Sequence, residues 1–157
     1  MRSLIAIIDR RIAKAEERMS DIVAADPEMV GTDDRLRTIP GIGPIIGATL
    51  IADLPELGQI DRRRIAALIS LAPIARDSGT RSGQRTIGGG RPIVRTALYI
   101  AALHASRHGP HLAAFRARLQ AAGKPAKAAI ITTARKRLTI LNARIATKSD
   151  YRQTASA

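Results

Sequence analysis

Two serines, Ser78 and Ser82, stand in a glycine-rich stretch with Arg76, Arg81, Arg85, Arg91 and Arg95 nearby in the chain. A serine hydroxyl is a weak nucleophile until something removes its proton or stabilises the charge that develops on attack. Guanidinium groups can do the second task on a phosphodiester, because their planar forks match the non-bridging oxygens of phosphate. Five glycines between positions 79 and 90 would let the backbone approach a strand closely. The same residues also suit plain phosphate gripping, and the residues alone leave both readings open.

A second group lies upstream, in Thr38-Ile-Pro-Gly-Ile-Gly-Pro44. Pro40 stops one helix, Gly41 and Gly43 permit a tight turn with little bulk, and Pro44 suits the first turn of the next helix. Leu36, Ile39, Ile42, Ile46 and Leu50 can close the seam between the two helices. This is the pattern of a helix-hairpin-helix. Its turn amides and following helix N-terminus can meet backbone phosphate without reading sequence. A ligand-free αα turn is the competing reading.

Other reactive types carry less. His104, His108 and His111 have near-helical spacing, but Gly109-Pro110 breaks the helix before the third, so zinc is a weak reading. Tyr99 sits among Leu98, Ile100 and Ala101 and reads as core. Asp53, Glu56 and Asp61 read as surface groups or a cap rather than metal ligands. The chain has no cysteine, which removes disulfides, thiolate zinc sites and thiol catalysis.

Charge narrows the partner. From Ser78 to Ser149 there are 14 Lys and Arg and no Asp or Glu, whereas the first 77 residues carry 11 basic and 12 acidic side chains. The net +13 therefore belongs to the second half. A one-signed stretch of that length cannot cancel its own field, and DNA or RNA is the natural counter-polyanion. Lys124, Lys127, Arg135 and Lys136 join the arginines as candidate phosphate contacts, with Arg137 and Arg144 also flanking the last helix seam. A membrane surface would call for aromatic anchors, and Phe115 alone is poor material. No apolar run approaches the roughly 20 residues of a membrane span, so the expected location is the cytoplasm, with the nucleoid.

The elements that must hold these groups are helical. Ala, Ile and Leu supply the apolar mass, and aromatics are only Tyr99, Phe115 and Tyr151. Leu4, Ile8, Ile12, Ala15, Met19 and Ile22 predict a helix over 3–24, as a short coiled coil or as an arm packed on the domain. Asp26-Pro27 ends it, and Asp33-Asp34 reads as a cap for the next helix. Asp61 caps a short helix over 62–70. Residues 72–91 form a loop whose length suggests function or disorder, and its glycines and mutually repelling arginines predict that 76–91 is not ordered without a ligand. Helices follow over 92–108, with Ile93, Ala97, Ile100 and Ala101 inward, then over 111–121 and from Pro125 to about Thr147. The last one buries Ile130, Ala134, Leu138, Leu141 and Ile145. The whole is all-α, with six or seven helices. It divides into an N-terminal helical arm (1–26), a helix-hairpin-helix-containing domain (35–147) and a flexible tail (148–157).

These blocks together resemble the C-terminal transposase domain of the IS110/IS116/IS902 family. The matching pieces are the 38–44 hairpin, Leu71-Ala-Pro73, Asp77-Ser-Gly79, Ile87-Gly-Gly-Gly-Arg91, Arg95-Thr-Ala-Leu-Tyr-Ile-Ala-Ala102, Gly123-Lys-Pro-Ala-Lys127 and Arg135-Lys-Arg-Leu-Thr-Ile-Leu-Asn142. They cover about residues 35–146, and residues 3–24 are similar to the helical region leading into that domain. The resemblance implies DNA strand exchange through a serine–DNA phosphodiester. Ser78 is the matching nucleophile and Ser82 the alternate. It implies a RuvC-like domain that holds Mg²⁺ and works across subunits, hence a homo-oligomer, and in some members a guiding bridge RNA. No such acidic domain is visible in this chain and no cofactor is expected within it. The expectation is a chain that binds nucleic acid but recombines it only with a RuvC-like partner in cis or trans. A non-catalytic DNA- or RNA-binding hairpin module is the alternative, and an antitoxin-like or ribosome-associated helical scaffold is a third reading.

Overall fold

The computed structural model describes residues 2–71 and 89–151. Arg76, Ser78, Arg81, Ser82 and Arg85 lie outside the described residues, as do residues 152–157 of the expected tail. Among the described residues there are seven helices and no strand: α1 (Arg2–Ala24), α2 (Pro27–Arg37), α3 (Pro44–Asp53), α4 (Arg62–Leu68), α5 (Pro92–His108), α6 (Pro110–Ala121) and α7 (Ala126–Ala146). None of them is long and apolar enough to cross a membrane.

Proline and aspartate set most of the boundaries. Pro27, Pro44, Pro92 and Pro110 each open a helix, where the missing N–H has no intrahelical partner to lose. Asp61 caps α4 by accepting from the amides of Arg63 and Arg64 at 2.7 and 3.0 Å. The cap upstream is Asp26, which accepts from Glu28 and Met29 at the start of α2. Asp33 and Asp34, expected to cap, are interior to α2. Asp33 is buried and pairs with Arg37 at 2.6 Å. Helix α2 thus crosses the expected domain start at residue 35. Its weak amphipathicity and three acids hide it from an apolar-period reading.

The core forms around α5, which packs on α3, α6 and α7. Leu36, Leu50, Leu54, Ile65, Ile69, Val94, Leu98, Leu138 and Leu141 are essentially inaccessible. Each large side chain so buried contributes about 1.5–3 kcal/mol. The buried stripe of α5 is Val94, Ala97, Leu98, Ala101, Ala102 and Ala105. Ile93 and Ile100, expected inward, are 63% and 52% exposed. The helix is apolar nearly all round, and two adjacent stripes share Ala97 and Ala101; packing on three neighbours selects one of them. Tyr99 lies partly buried against the core, as expected.

Helix α1 packs on α2 and α3. Its Leu4, Ile5, Ile8 and Ile12 remain exposed. At the other end, the chain after α7 is tied down as far as Tyr151, whose amide donates to Thr38 Oγ1 at 3.0 Å.

Candidate nucleic-acid interface

The turn between α2 and α3 spans Thr38 to Gly43. Gly41 has φ of +81°, and a β-carbon there would stand 3.0 Å from the Ala101 carbonyl oxygen. Glycine is required both by backbone conformation and by contact with α5. Gly43, the residue before α3, has φ of −95° and open space where a side chain would project. The two glycines therefore do different work: Gly41 docks the turn on the core and Gly43 keeps its outer side bare. Behind the turn, Arg137 of α7 donates to the Pro40 carbonyl through Nη2.

The segment bearing Ser78 departs and returns at one place. Its described flanks are Leu71 and Gly89, and Gly90 crosses so near the end of α4 that a β-carbon would fall 2.5 Å from Ser70 Oγ and 2.7 Å from the Leu68 carbonyl. Gly90 also has φ of +63°. Arg95 bridges the two flanks, donating through Nη1 to the Ile69 carbonyl at 3.2 Å and the Gly89 carbonyl at 2.8 Å. Arg91 makes a two-pronged ion pair with Glu56, both contacts at 2.5 Å, and also donates to the Asp53 carbonyl at 2.8 Å. Its hydrogen bonds hold the Glu56 carboxyl below the usual range, and Glu56 in turn raises the guanidinium's affinity for its proton. Arg91 and Arg95, expected on phosphate, have these donors engaged within the protein and hold the exit of the segment against α3 and α4.

The remaining candidate cations lie on α7 and in the turn before it. Lys124, Lys127, Arg135 and Lys136 are exposed. Lys136 Nζ sits 4.2 Å from the centroid of the Phe115 ring, with the Arg118 guanidinium 5.4 Å away from it. That ring holds both cations at the surface without neutralising them. Ion pairs among the described residues draw their acids from Asp33, Asp61 and Glu56, and Arg91 is the one cation of the acid-free half that takes part.

Two buried polar side chains escape a reading of the sequence alone. Arg137, expected to flank the seam with its neighbours, is 1% exposed. Burial lowers its pKa to about 10, a fall opposed by the Tyr151 phenol, so it stays charged at neutral pH. Asn142, also buried, accepts from the Gly58 amide and donates to the Ile60 carbonyl, both at 2.8 Å, fixing the α3–α4 connection to α7. The available signal is spacing: Arg137 is seven residues after Ile130 and Asn142 four after Leu138, both on the buried side of a helix. His104 and His108 stack with ring centroids 4.5 Å apart, and no trio of potential metal ligands occurs among the described residues.

Comparison with known proteins bears on this geometry. Residues 33–117 match the family described as Transposase IS116/IS110/IS902. The chain is 36% identical over 84 residues to the insertion element IS116 uncharacterized 44.8 kDa protein of Streptomyces clavuligerus, an alignment covering 51% of this chain and 21% of that protein. It is 32% identical over 157 residues to the insertion element IS900 uncharacterized 42 kDa protein of Mycobacterium paratuberculosis, covering 88% of this chain and 37% of that one. The matched regions thus span about a fifth and rather more than a third of these relatives' lengths.

Proposed function

The chain belongs to the transposase IS116/IS110/IS902 family, and on that footing we propose that it is the part of a DNA strand-exchange protein that grips nucleic-acid backbone and carries the joining serine, Ser78. The observation that carries this reading is the uncompensated charge of the second half, where Arg91 alone among the described cations meets a carboxylate. Such a surface attracts a polyanion at long range and releases counterions on binding.

Contact runs through the amides at Gly41 and Gly43 and through Lys124, Lys127, Arg135 and Lys136, and it reads backbone rather than sequence. The hairpin turn meets α5 near Ala105, while the serine segment returns beside Pro92. Along a helix that is a separation of about 20 Å, or roughly six base-pair steps of a duplex. In the joining step, the Ser78 oxygen forms a bond to a backbone phosphorus, and the displaced strand oxygen leaves with a proton. Arg76, Arg81 and Arg85 supply positive charge to that phosphate in this reading. The Mg²⁺ chemistry implied by the family is assigned to a RuvC-like domain acting in cis or trans. A second copy of the chain, seated through the exposed apolar side of α1, and a guide RNA complete the proposed partners.

Fluorescence anisotropy with duplex and single-stranded oligonucleotides across a salt series tests the binding claim. Replacing Lys124, Lys127, Arg135 and Lys136 by Gln is expected to weaken binding to every sequence alike. It should also flatten the slope of log K against log salt by about 0.9 for each duplex phosphate that is no longer neutralised. Absence of binding at low ionic strength, or a slope that does not change, rejects the reading. Ser78→Ala separates joining from mere binding. It should leave affinity intact and abolish covalent capture of DNA when the RuvC-like domain is supplied; a non-catalytic module would show no capture with either chain.

A further inference from the structure

The fork of Arg91 is filled by a carboxylate in the way a phosphate would fill it. Nη1 and Nη2 each donate to one Glu56 oxygen, both at 2.5 Å, and Nη1 also donates to the Asp53 carbonyl at 2.8 Å. Paired N–H groups aimed at two oxygens of one anion are the arrangement by which a guanidinium takes either carboxylate or phosphate. The fork is open to a ligand. The side chains of Arg91 and Glu56 are 32% and 33% exposed, so an incoming anion reaches it from solvent.

Position gives the contact its meaning. Arg91 follows Gly90, where the serine-bearing segment comes back against α4, and precedes Pro92 at the start of α5. It belongs to the stretch that carries no acid between Ser78 and Ser149, and its carboxylate comes from the other half of the chain. An ion pair this exposed is weak in water, whereas a duplex presents phosphates at high density and gains by releasing counterions. Exchange of one anion for another in the same fork therefore costs little.

We infer that Glu56 stands in for a backbone phosphate: it occupies the Arg91 fork in the free chain and gives it up when nucleic acid binds. The effect is autoinhibitory. Glu56 withholds one phosphate contact until a strand displaces it, and the carboxylate released beside that strand opposes binding. The exchange also unties the α3–α4 connection from the start of α5, so the arrival of a strand is transmitted to the exit of the serine segment. This inference rests on the reading that the chain binds nucleic acid, and it adds to that reading a contact that the free chain keeps closed.

The test measures duplex affinity by anisotropy across a salt series for the full parent chain, Glu56→Gln, Asp53→Asn and the double variant Glu56→Gln/Arg91→Gln. The Asp53 charge acts on the same guanidinium, but the fork itself is filled by Glu56, so Asp53→Asn reports the field of a neighbouring acid alone. Glu56→Gln should bind duplex about fivefold more tightly at low salt, with a slope of log K against log salt steeper by about 0.9. The gain should vanish in the double variant and be much smaller in Asp53→Asn. In the parent, the ¹³C signal of the Glu56 carboxyl, assigned by its loss in Glu56→Gln, should move as duplex saturates the chain. No gain in Glu56→Gln, an equal gain in Asp53→Asn, or a gain that survives the loss of Arg91 overturns the exchange and leaves the proposed function standing. So does duplex binding with an unmoved Glu56 signal. A parent chain that binds no duplex at low ionic strength overturns both.

Discussion

Two glycines at the edges of the candidate interface differ in what a single methyl group would meet. At Gly90 an added β-carbon would lie 2.5 Å from Ser70 Oγ and 2.9 Å from the Ile69 carbonyl carbon, on a backbone with φ of +63°. Neither backbone atoms of α4 nor a left-handed conformation can give way cheaply, so Gly90→Ala should cost about 2–3 kcal/mol. At Gly43 nothing lies within 4 Å and φ is −95°, so Gly43→Ala should change stability by no more than about 1 kcal/mol. Its effect belongs to binding: the methyl group stands on the bare side of the hairpin and should weaken duplex affinity several-fold. Urea denaturation and anisotropy on the two variants check the pair. A Gly43→Ala chain that binds like the parent would remove the turn from the interface, and a fully stable Gly90→Ala chain would show that α4 and the returning segment are not in contact.

At the scale of elements, the Arg91–Glu56 pair joins the α3–α4 connection to the first turn of α5. Both side chains are about one-third exposed, so the pair is a modest tether, screened by solvent. The Glu56 carboxyl has its pKa lowered on folding. Its contribution is therefore fully present above the unfolded carboxylate pKa and is lost as pH falls through the lower folded value. Melting curves from neutral to acid pH should show Glu56→Gln less stable than the parent at pH 7, with the gap closing as the medium is acidified. A gap that widened in acid would contradict the pairing. Such tethers are not legible in the sequence, because residues 35 positions apart give no local signal. Helix boundaries are more legible, since Pro44, Pro92, Pro110 and Asp61 act through their immediate neighbours. The α7 seam is legible by period for Ile130, Ala134, Leu138 and Leu141. That same period points inward at Arg137 and Asn142, but charge and polarity are ordinarily marks of a surface. Burial of a polar group is decided by partners elsewhere in the fold, here the Pro40 carbonyl and the Gly58–Ile60 backbone, which no local pattern announces.

For the whole molecule, the separation of charge along the chain sets salt against itself. The acid-free half must fold with its cations close together, and little of that repulsion is cancelled by internal pairs. Added salt shortens the Debye length from about 30 Å at 0.01 M to about 8 Å at 0.15 M, which relieves repulsion between exposed cations on different helices. The free chain should therefore melt at a higher temperature as salt rises over this range. Nucleic acid bound as proposed would do the same work at low salt by supplying the missing negative charge, and would stabilise the fold by RT ln(1 + [L]/Kd). That gain shrinks as salt weakens binding. Melting temperature measured with and without a saturating duplex should thus give two curves that start apart at low salt and converge, the free chain rising to meet the complex. A free chain that loses stability with added salt would mean that its cations are already compensated internally, and the case for a polyanion partner built on their exposure would fail with it.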